Sequence, residues 1–422
     1  VSVDPAERGL KGGRAATANG FFATWKWALA AGAMVVWVVM TAIVHEDVWF
    51  LLGVWNLDAP FMDLAAIFAA GEAWMVGRDV YLVNPFDPLG RPHVYGPWWL
   101  VTGPLGFTVP DVRWAGALLV LGFVVVVLAM VRPRTPRAAV ATALFLLSGP
   151  VLIGLERANN DLVVVILLAA AAWLIGRGQR AARLGGAVLV LAAGLKIYPV
   201  VALTALGATR GKIRWVAAAV AGLACVATFL IWRDDFAHIV RIAPRPMTVF
   251  SYGVRTVYYS WVGFEQHRAV YAPPLFLLGA AGAWLVWRAR AALWDLIPLE
   301  GGKAAAYVAG ASAWVFCFLA NTNYPYRVVL LALCLPLWLR EEKEAGEDVV
   351  KAGRRMALLV ILAGWMAVPK MWWADAGEAG ILVKEAGKWV IGISGADQAM
   401  WLTLTVAMGI SLLGWARRRL SK

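Results

Sequence analysis

Residues 112–137 read VRWAGALLVLGFVVVVLAMVRPRTPR, and the way that run is built decides the fold. From Val112 to Val131 the residues are almost all apolar, enough for a helix to cross a hydrocarbon core of roughly 30 Å. Arg132, Arg134 and Arg137 then close it with a basic stop. The same grammar recurs along the chain. Lysine and arginine gather in seven clusters: Arg8/Lys11/Arg14/Lys26, Arg132/Arg134/Arg137, Arg177/Arg180/Arg183, Arg210/Lys212/Arg214, Arg288/Arg290/Lys303, Arg340/Lys343/Lys351/Arg354/Arg355 and Arg417/Arg418/Arg419/Lys422. They hold 25 of the 39 basic residues, so charge placement follows the loops and not the chain at large. Basic residues favour the cytoplasmic flanks of membrane spans. If all seven clusters lie there, the apolar runs between them must go out and come back.

Bulk composition agrees. The chain has 422 residues, 61% hydrophobic and 15% charged, with a mean hydropathy of +0.69. A soluble protein carries nearer a quarter charged residues, so this is an all-α polytopic membrane protein. The net charge of +13 does not imply nucleic acid as a partner, because the bases flank apolar runs as topology determinants and lipid-headgroup contacts. Cys225, Cys317 and Cys334 sit inside apolar runs as small hydrophobes. His45, His93, His238 and His267 are too scattered to point to a metal site; the sequence calls for no cofactor, and a divalent cation stays open without support.

A single integral membrane domain, 1–422, follows. The first span, 24–45, has no evident cleavage site and is read as uncleaved. An exterior loop, 46–111, carries Asp58, Asp63, Glu72, Asp79 and Asp87, with 62–76 expected as a helix lying on the surface and 97–109 as an interfacial or re-entrant piece. The helical core, 112–232, contains a broken hairpin at 184–208: both ends are basic, so Lys196-Ile197-Tyr198-Pro199 belongs at an outer tip. A second exterior loop, 233–268, precedes the C-terminal spans, 269–416. The total is about twelve crossings.

Five polar clusters then share the exterior face. They are the Asp58–Asp79 acids; Glu156-Arg157-Ala158-Asn159-Asn160-Asp161; Lys196 with Tyr198; the loop with Arg233, His238, Arg241, Arg245 and Arg255; and Asn321-Thr322-Asn323-Tyr324-Pro325-Tyr326-Arg327. Ionisable groups at membrane depth tend to mark a pathway or a site. A loop carboxylate can take a proton from a sugar hydroxyl. Arginine and lysine can hold a phosphate, while Asn and Tyr can bond hydroxyls. No GxxxxGK[ST] phosphate loop or nucleotide-binding glycine turn is present, which leaves a lipid-linked phosphate donor entering from the bilayer.

The order of these motifs resembles a known family. Asp63-Leu-Ala-Ala-Ile-Phe-Ala-Ala-Gly71 through Gly77-Arg-Asp-Val-Tyr81, then Tyr95-Gly96-Pro97, resembles the start of the bacterial integral-membrane glycosyltransferases of family 87, which include polyprenyl-phosphate-mannose-dependent mannosyltransferases. Gly96 stands where that family usually has a first proline. Glu156–Asp161, Leu195-Lys196-Ile197-Tyr198-Pro199 and Asn321–Arg327 are similar to its later motifs, over about residues 60 to 340. The resemblance implies a GT-C fold with a large first exterior loop. It also implies a polyprenyl-phosphate sugar donor, a glycan or glycolipid acceptor, and an active site on the exterior side of the bacterial cytoplasmic membrane. Carried onto this chain, Asp63 is the general base of an inverting transfer. Lys196, Arg157 and Arg327, with Arg255 behind them, hold the leaving phosphate. Asn160, Asp161, Tyr198, Asn323 and Tyr326 complete the binding set.

Other readings stay open on these residues. Asp58 is an alternative base, five residues earlier. Arg157 and Arg327 also suit interfacial anchors, and Lys196 a buried, paired lysine that closes the hairpin. A transporter or flippase of a lipid-linked or anionic sugar fits intramembrane charges and a broken hairpin, as does a subunit that binds a lipid-linked sugar without turning it over. Mannose comes from the resemblance alone; pentoses such as arabinose are equally compatible with the residues.

Overall fold

The computed structural model describes residues 5–421 apart from 58, 212, 245–249, 264, 321, 342–343 and 379–382. Asp58, the alternative base, therefore lies outside the described residues, as do Arg245 and Asn321. Helices joined by loops make up the described chain, and a lone antiparallel bridge between Tyr252 and Asn323 is the sole extended pairing among the described residues.

In chain order the elements begin with α1 (Pro5–Val44), α2 (Asp47–Leu51), α3 (Met62–Met75), a 3₁₀ segment (Pro97–Thr102) and α4 (Val112–Val131). Next come α5 (Pro136–Leu146), α6 (Gly149–Glu156), α7 (Asn160–Gly176), α8 (Gln179–Leu195) and a 3₁₀ segment (Tyr198–Ala208). The second half holds α9 (Ile213–Ile231), α10 (Arg233–Ile242), α11 (Val254–Gly263), α12 (Arg268–Trp294), α13 (Gly302–Ala320), a 3₁₀ segment (Pro325–Leu333), α14 (Leu335–Trp338), α15 (Glu347–Trp365), α16 (Ala367–Glu378) and α17 (Val383–Leu420). Seven helices among the described residues are long and apolar enough to cross a membrane, or eight if α5 and α6, bent by 59°, count as one. The all-α polytopic architecture holds. About twelve crossings are expected from the sequence; α7 and the 3₁₀ segment Tyr198–Ala208 are apolar but shorter than these spans.

The described basic clusters converge on one end of the bundle. Arg132 stacks over Trp25 at 5.8 Å, next to Lys26. Arg132, Arg134, Lys303 and Arg340 line one pocket, while Arg288, Lys351 and Arg355 line another. Arg210 and Arg419 share Glu300, and Gly176, beside Arg177, packs on Gly302. At 1.5 Å per residue, α4, α7 and α13 each rise roughly 25–30 Å from this end. Their other ends hold the loops of Asp63, Asp161 and Asn323.

One expectation is corrected. Residues 62–76 do not lie on the surface: α3 is buried from Met62 through Gly71, and again at Ala73. Its sequence, MDLAAIFAAGEAWM, is apolar on nearly every side of the helix, and such a helix goes inside. Glycines let it sink. A Cβ on Gly71 would meet Gly103 N at 2.6 Å, so α3 and the chain after the first 3₁₀ segment touch backbone to backbone.

A second close approach accounts for Gly96. Its amide donates to Leu195 O at 3.0 Å, and a Cβ there would lie 2.7 Å from that same oxygen and collide with Gly194 O. The backbone dihedrals, φ −60° and ψ 150°, would suit a proline. Space and the donated hydrogen bond, not the dihedral angles, demand glycine. Gly96→Ala should push the loop between α3 and the first 3₁₀ segment off the hairpin that carries Lys196, costing about 1–3 kcal/mol. A lower thermal-unfolding midpoint in detergent, against wild type, is the expected measurement.

Candidate active site

Asp63 opens α3, and backbone hydrogen bonds pin that start to the α6–α7 turn. Phe61 N donates to Glu156 O at 2.7 Å, and Asp63 N donates to Arg157 O at 3.1 Å. Both partners of this joint hold strained backbone. Phe61 (φ 69°) and Ala158 (φ 44°) are two of the three described non-glycine residues in the left-handed region, a conformation that costs an L-residue about 1–2 kcal/mol. Such strain collects where geometry is functionally constrained. Next to Ala158, Asn159 caps α7 by accepting from Asp161 N at 2.9 Å, and its amide donates to Asp63 Oδ2 at 2.6 Å. One asparagine thus starts a helix and aims the carboxylate.

The other oxygen of Asp63 accepts from Arg91 Nη1 at 3.1 Å. Arg91 is itself locked: its Nε donates to Asp87 Oδ2 at 3.0 Å and its Nη2 to Met62 O at 2.6 Å. An ionised carboxylate offers about four lone-pair sites, so Asp63 is oriented yet can still accept from a hydroxyl.

A second carboxylate organises the cations. Asp161, fully buried in the first turn of α7, pairs with Lys196 Nζ and accepts from the Tyr198 hydroxyl at 2.9 Å. Arg327 Nε lies 3.9 Å from its other oxygen. Lys196 also donates to Asn160 Oδ1 at 2.7 Å, and Arg327 Nη1 donates to Asn323 Oδ1. Aromatic faces surround the ammonium: Tyr95, Tyr198 and Tyr326 lie 5.5, 5.6 and 5.7 Å from it. Asn323 is fixed in turn by its bridge to Tyr252, with reciprocal bonds of 2.9 and 3.2 Å.

These groups face a cavity of about 560 Å³, lined by Asp63, Arg91, His93, Tyr95, Arg157, Lys196, Arg255, Tyr324, Tyr326 and Arg327 among others. The ten residues singled out from the sequence are therefore brought together. Six line this space, and Asn160, Asp161, Tyr198 and Asn323 hold those that do. Five cations (Arg91, Arg157, Lys196, Arg255, Arg327) stand against four carboxylates (Asp63, Asp87, Glu156, Asp161), which leaves room for an anion. Two buried donors that line it, Arg157 Nε and Arg327 Nε, have no hydrogen-bond partner, and neither does Asn160 Nδ2 behind Lys196. Buried donors are rarely left so. An acceptor-rich group such as a phosphate would satisfy them. No cluster of three or more His, Cys, Asp or Glu with metal-binding spacing occurs among the described residues.

Sequence reasoning missed Arg91 and gave Asn159, His93 and Tyr95 no role of their own in the site. The Asp87-to-Arg91 spacing hinted at a local pair, but nothing tied Arg91 to a carboxylate 28 residues upstream. A second cavity of about 370 Å³ shares Leu57, Arg157 and Tyr324 with the first, and is otherwise mostly apolar. It contains a buried Lys370–Asp397 pair.

With this geometry in place, comparison with known proteins gives a class. Residues 95–297 match the model of Glycosyltransferase family 87, which bears out the resemblance. Among solved structures it is similar to ArnT from Cupriavidus metallidurans bound to undecaprenyl phosphate. The TM-score is 0.40 and the identity 15%, over 93% of this chain and 77% of that one. No curated protein matches.

His93 supplies a pH signature. It is buried in the loop between α3 and the first 3₁₀ segment, beside Tyr81 and Tyr95, at ring distances of 5.5 and 5.7 Å. Burial pushes its imidazole down to about 4, opposed only in part by the Gly96 backbone. A depressed folded-state value means the unfolded chain takes up the proton first. The stabilisation is thus complete above about pH 6.5 and is lost as pH falls towards 4, by at most about 3 kcal/mol. His93→Gln should flatten the fall of the thermal midpoint between pH 6.5 and 4.

Proposed function

We propose that this chain transfers a sugar, mannose by the family resemblance, from a polyprenyl-phosphate carrier to a hydroxyl of a glycan or glycolipid acceptor. The GT-C arrangement is the framework, and the reaction takes place on the exterior side of the cytoplasmic membrane. The observation that carries this reading is a single cavity presenting a held carboxylate, Asp63, opposite Lys196, Arg157 and Arg327. A base and an anion cradle on one cavity are the two parts that sugar transfer from a lipid phosphate requires.

In this mechanism Asp63 takes the proton of the acceptor hydroxyl as that oxygen attacks the anomeric carbon. The bond from that carbon to the phosphate oxygen breaks on the opposite face, so the configuration inverts. Polyprenyl phosphate leaves with the electron pair. It needs no strong acid, only charge held as it departs. Lys196 and Arg327 share one carboxylate between two positive charges, so their pairing leaves a surplus for the phosphate. Arg157 and Arg255 extend the cradle at the rim. The adjoining apolar cavity behind Arg157 and Tyr324 suits the hydrocarbon part of a lipid-linked substrate.

Purified protein in detergent, given polyprenyl-phosphate mannose and a hydroxyl-bearing glycan acceptor, should form a glycosidic product. Asp63→Asn keeps the shape and should lower turnover about 10²–10⁴-fold, with donor binding retained. Turnover that survives this substitution removes Asp63 as the base. Uptake of a lipid-linked sugar into vesicles without any transfer product would favour the transporter.

A further inference from the structure

At the opposite end of the bundle, some 25–30 Å along α4 from the catalytic cavity, lies a smaller pocket of about 110 Å³. Arg132, Pro133 and Arg134 from the α4–α5 turn, Lys303 at the start of α13, and Arg340, Glu341 and Glu344 after α14 line it. Liquid water occupies about 30 Å³ per molecule, so the space takes a group several times larger than a water.

Arg340 is the telling residue. It is 7% exposed, and neither Nε nor Nη2 has a hydrogen-bond partner. A buried guanidinium without a bonded carboxylate is costly, because its desolvation is not repaid. Burial accordingly holds its pKa below the usual arginine value, with Glu344 opposing. Glu344 is occupied by the Lys303 ammonium. Arg134 is exposed at the mouth. Arg132 completes the wall in a left-handed conformation, φ 46°, the third strained non-glycine residue of the described chain. Its Nε donates to Ala129 O at 3.0 Å, which turns the guanidinium back along α4. Four cations face two carboxylates, and the two unsatisfied N–H donors of Arg340 have the fork geometry that suits an oxyanion.

We propose that this pocket binds a phosphate group, held by Arg340 and closed by Arg132, Arg134 and Lys303, at the membrane end remote from sugar transfer. A phosphate there has two sources, the headgroup of an anionic lipid and a free phosphate. Trp25 stacked on Arg132 is the kind of aromatic found at headgroup level.

The full chain, reconstituted in nanodiscs of phosphatidylcholine alone or with phosphatidylglycerol, tests this. Thermal unfolding and native mass spectrometry of retained lipid are the readouts, with inorganic phosphate titrated into the phosphatidylcholine sample. Wild type should gain thermal stability with at least one probe. Retained phosphatidylglycerol identifies the headgroup; a response to inorganic phosphate identifies the free ion. Arg340→Met keeps the buried stem and removes the charge. It should be at least as stable as wild type without either probe and should bind roughly tenfold more weakly. Arg134→Gln, at the exposed mouth, cannot disturb the core and should weaken binding by a smaller factor. No response to either probe in wild type overturns the proposal, as does an undiminished response in Arg340→Met. Should Arg340→Met not fold, an Arg134→Gln response equal to wild type overturns it instead.

Discussion

The Asp161 carboxylate is what the cation-bearing half of the site depends on. Lys196 arrives from the break between α8 and its 3₁₀ continuation, Tyr198 from the start of that continuation, and Arg327 from the segment after α13. None of these segments would bring a charge into a bundle of apolar helices unaided, because burying an unpaired ion costs several kcal/mol. A single acid in the first turn of α7 offsets that cost for two of them. Its place is favourable for a second reason, since negative charge is stabilised near a helix N-terminus. Asn159 fixes that terminus as its cap and in the same conformation reaches Asp63. Asp63 and the Lys196–Arg327 cation pair are therefore two sides of one helix start, and a shift of α7 would move both.

Charge arithmetic separates a structural ion pair from a binding site. The Lys370–Asp397 pair in the neighbouring cavity is one acid to one base, so it carries no surplus charge. Around Asp161 two cations share one acid, while Arg157 and Arg327 each keep a buried N–H without an acceptor. Close pairing of Lys196 with a carboxylate does not make it merely a closure of the hairpin. Its ammonium carries three donors and two are in use, with Tyr95, Tyr198 and Tyr326 set around it. Aromatic faces hold a cation in place without neutralising it.

Much of this was legible in the sequence, for physical reasons that differ by element. Apolar runs ended by arginine gave the helical membrane architecture because hydrocarbon leaves the backbone few alternatives. The break at Lys196 could be read because a chain that leaves and returns to one side must turn. Motif order brought Asp63, Arg157, Lys196 and Arg327 into consideration together. What stayed hidden depends on tertiary contact. The burial of α3 turned on glycines at Gly71 and Gly103 whose partners lie some thirty residues apart, and an apolar helix in a membrane protein looks the same whether protein or lipid covers it. Arg91 was invisible for a related reason: loops carry function but show no periodicity that ties a residue to its partner.

The departure at Gly96 shows how a single residue connects these levels. A proline would accept the same backbone angles, so the local conformation alone gives no reason to replace it. The hairpin does. Leu195 offers its carbonyl to the Gly96 amide one residue before Lys196, and the two backbones meet with no room for a Cβ. A proline would remove the donor and leave Leu195 O without that bond, at the position where the helix stops, one residue before Lys196. The loop after α3 and the hairpin are thus joined by main chain, which holds His93, Tyr95 and Lys196 together on the cavity. Rigid main-chain contact of this kind lets flexible lysine and arginine side chains keep the spacing that a phosphate requires.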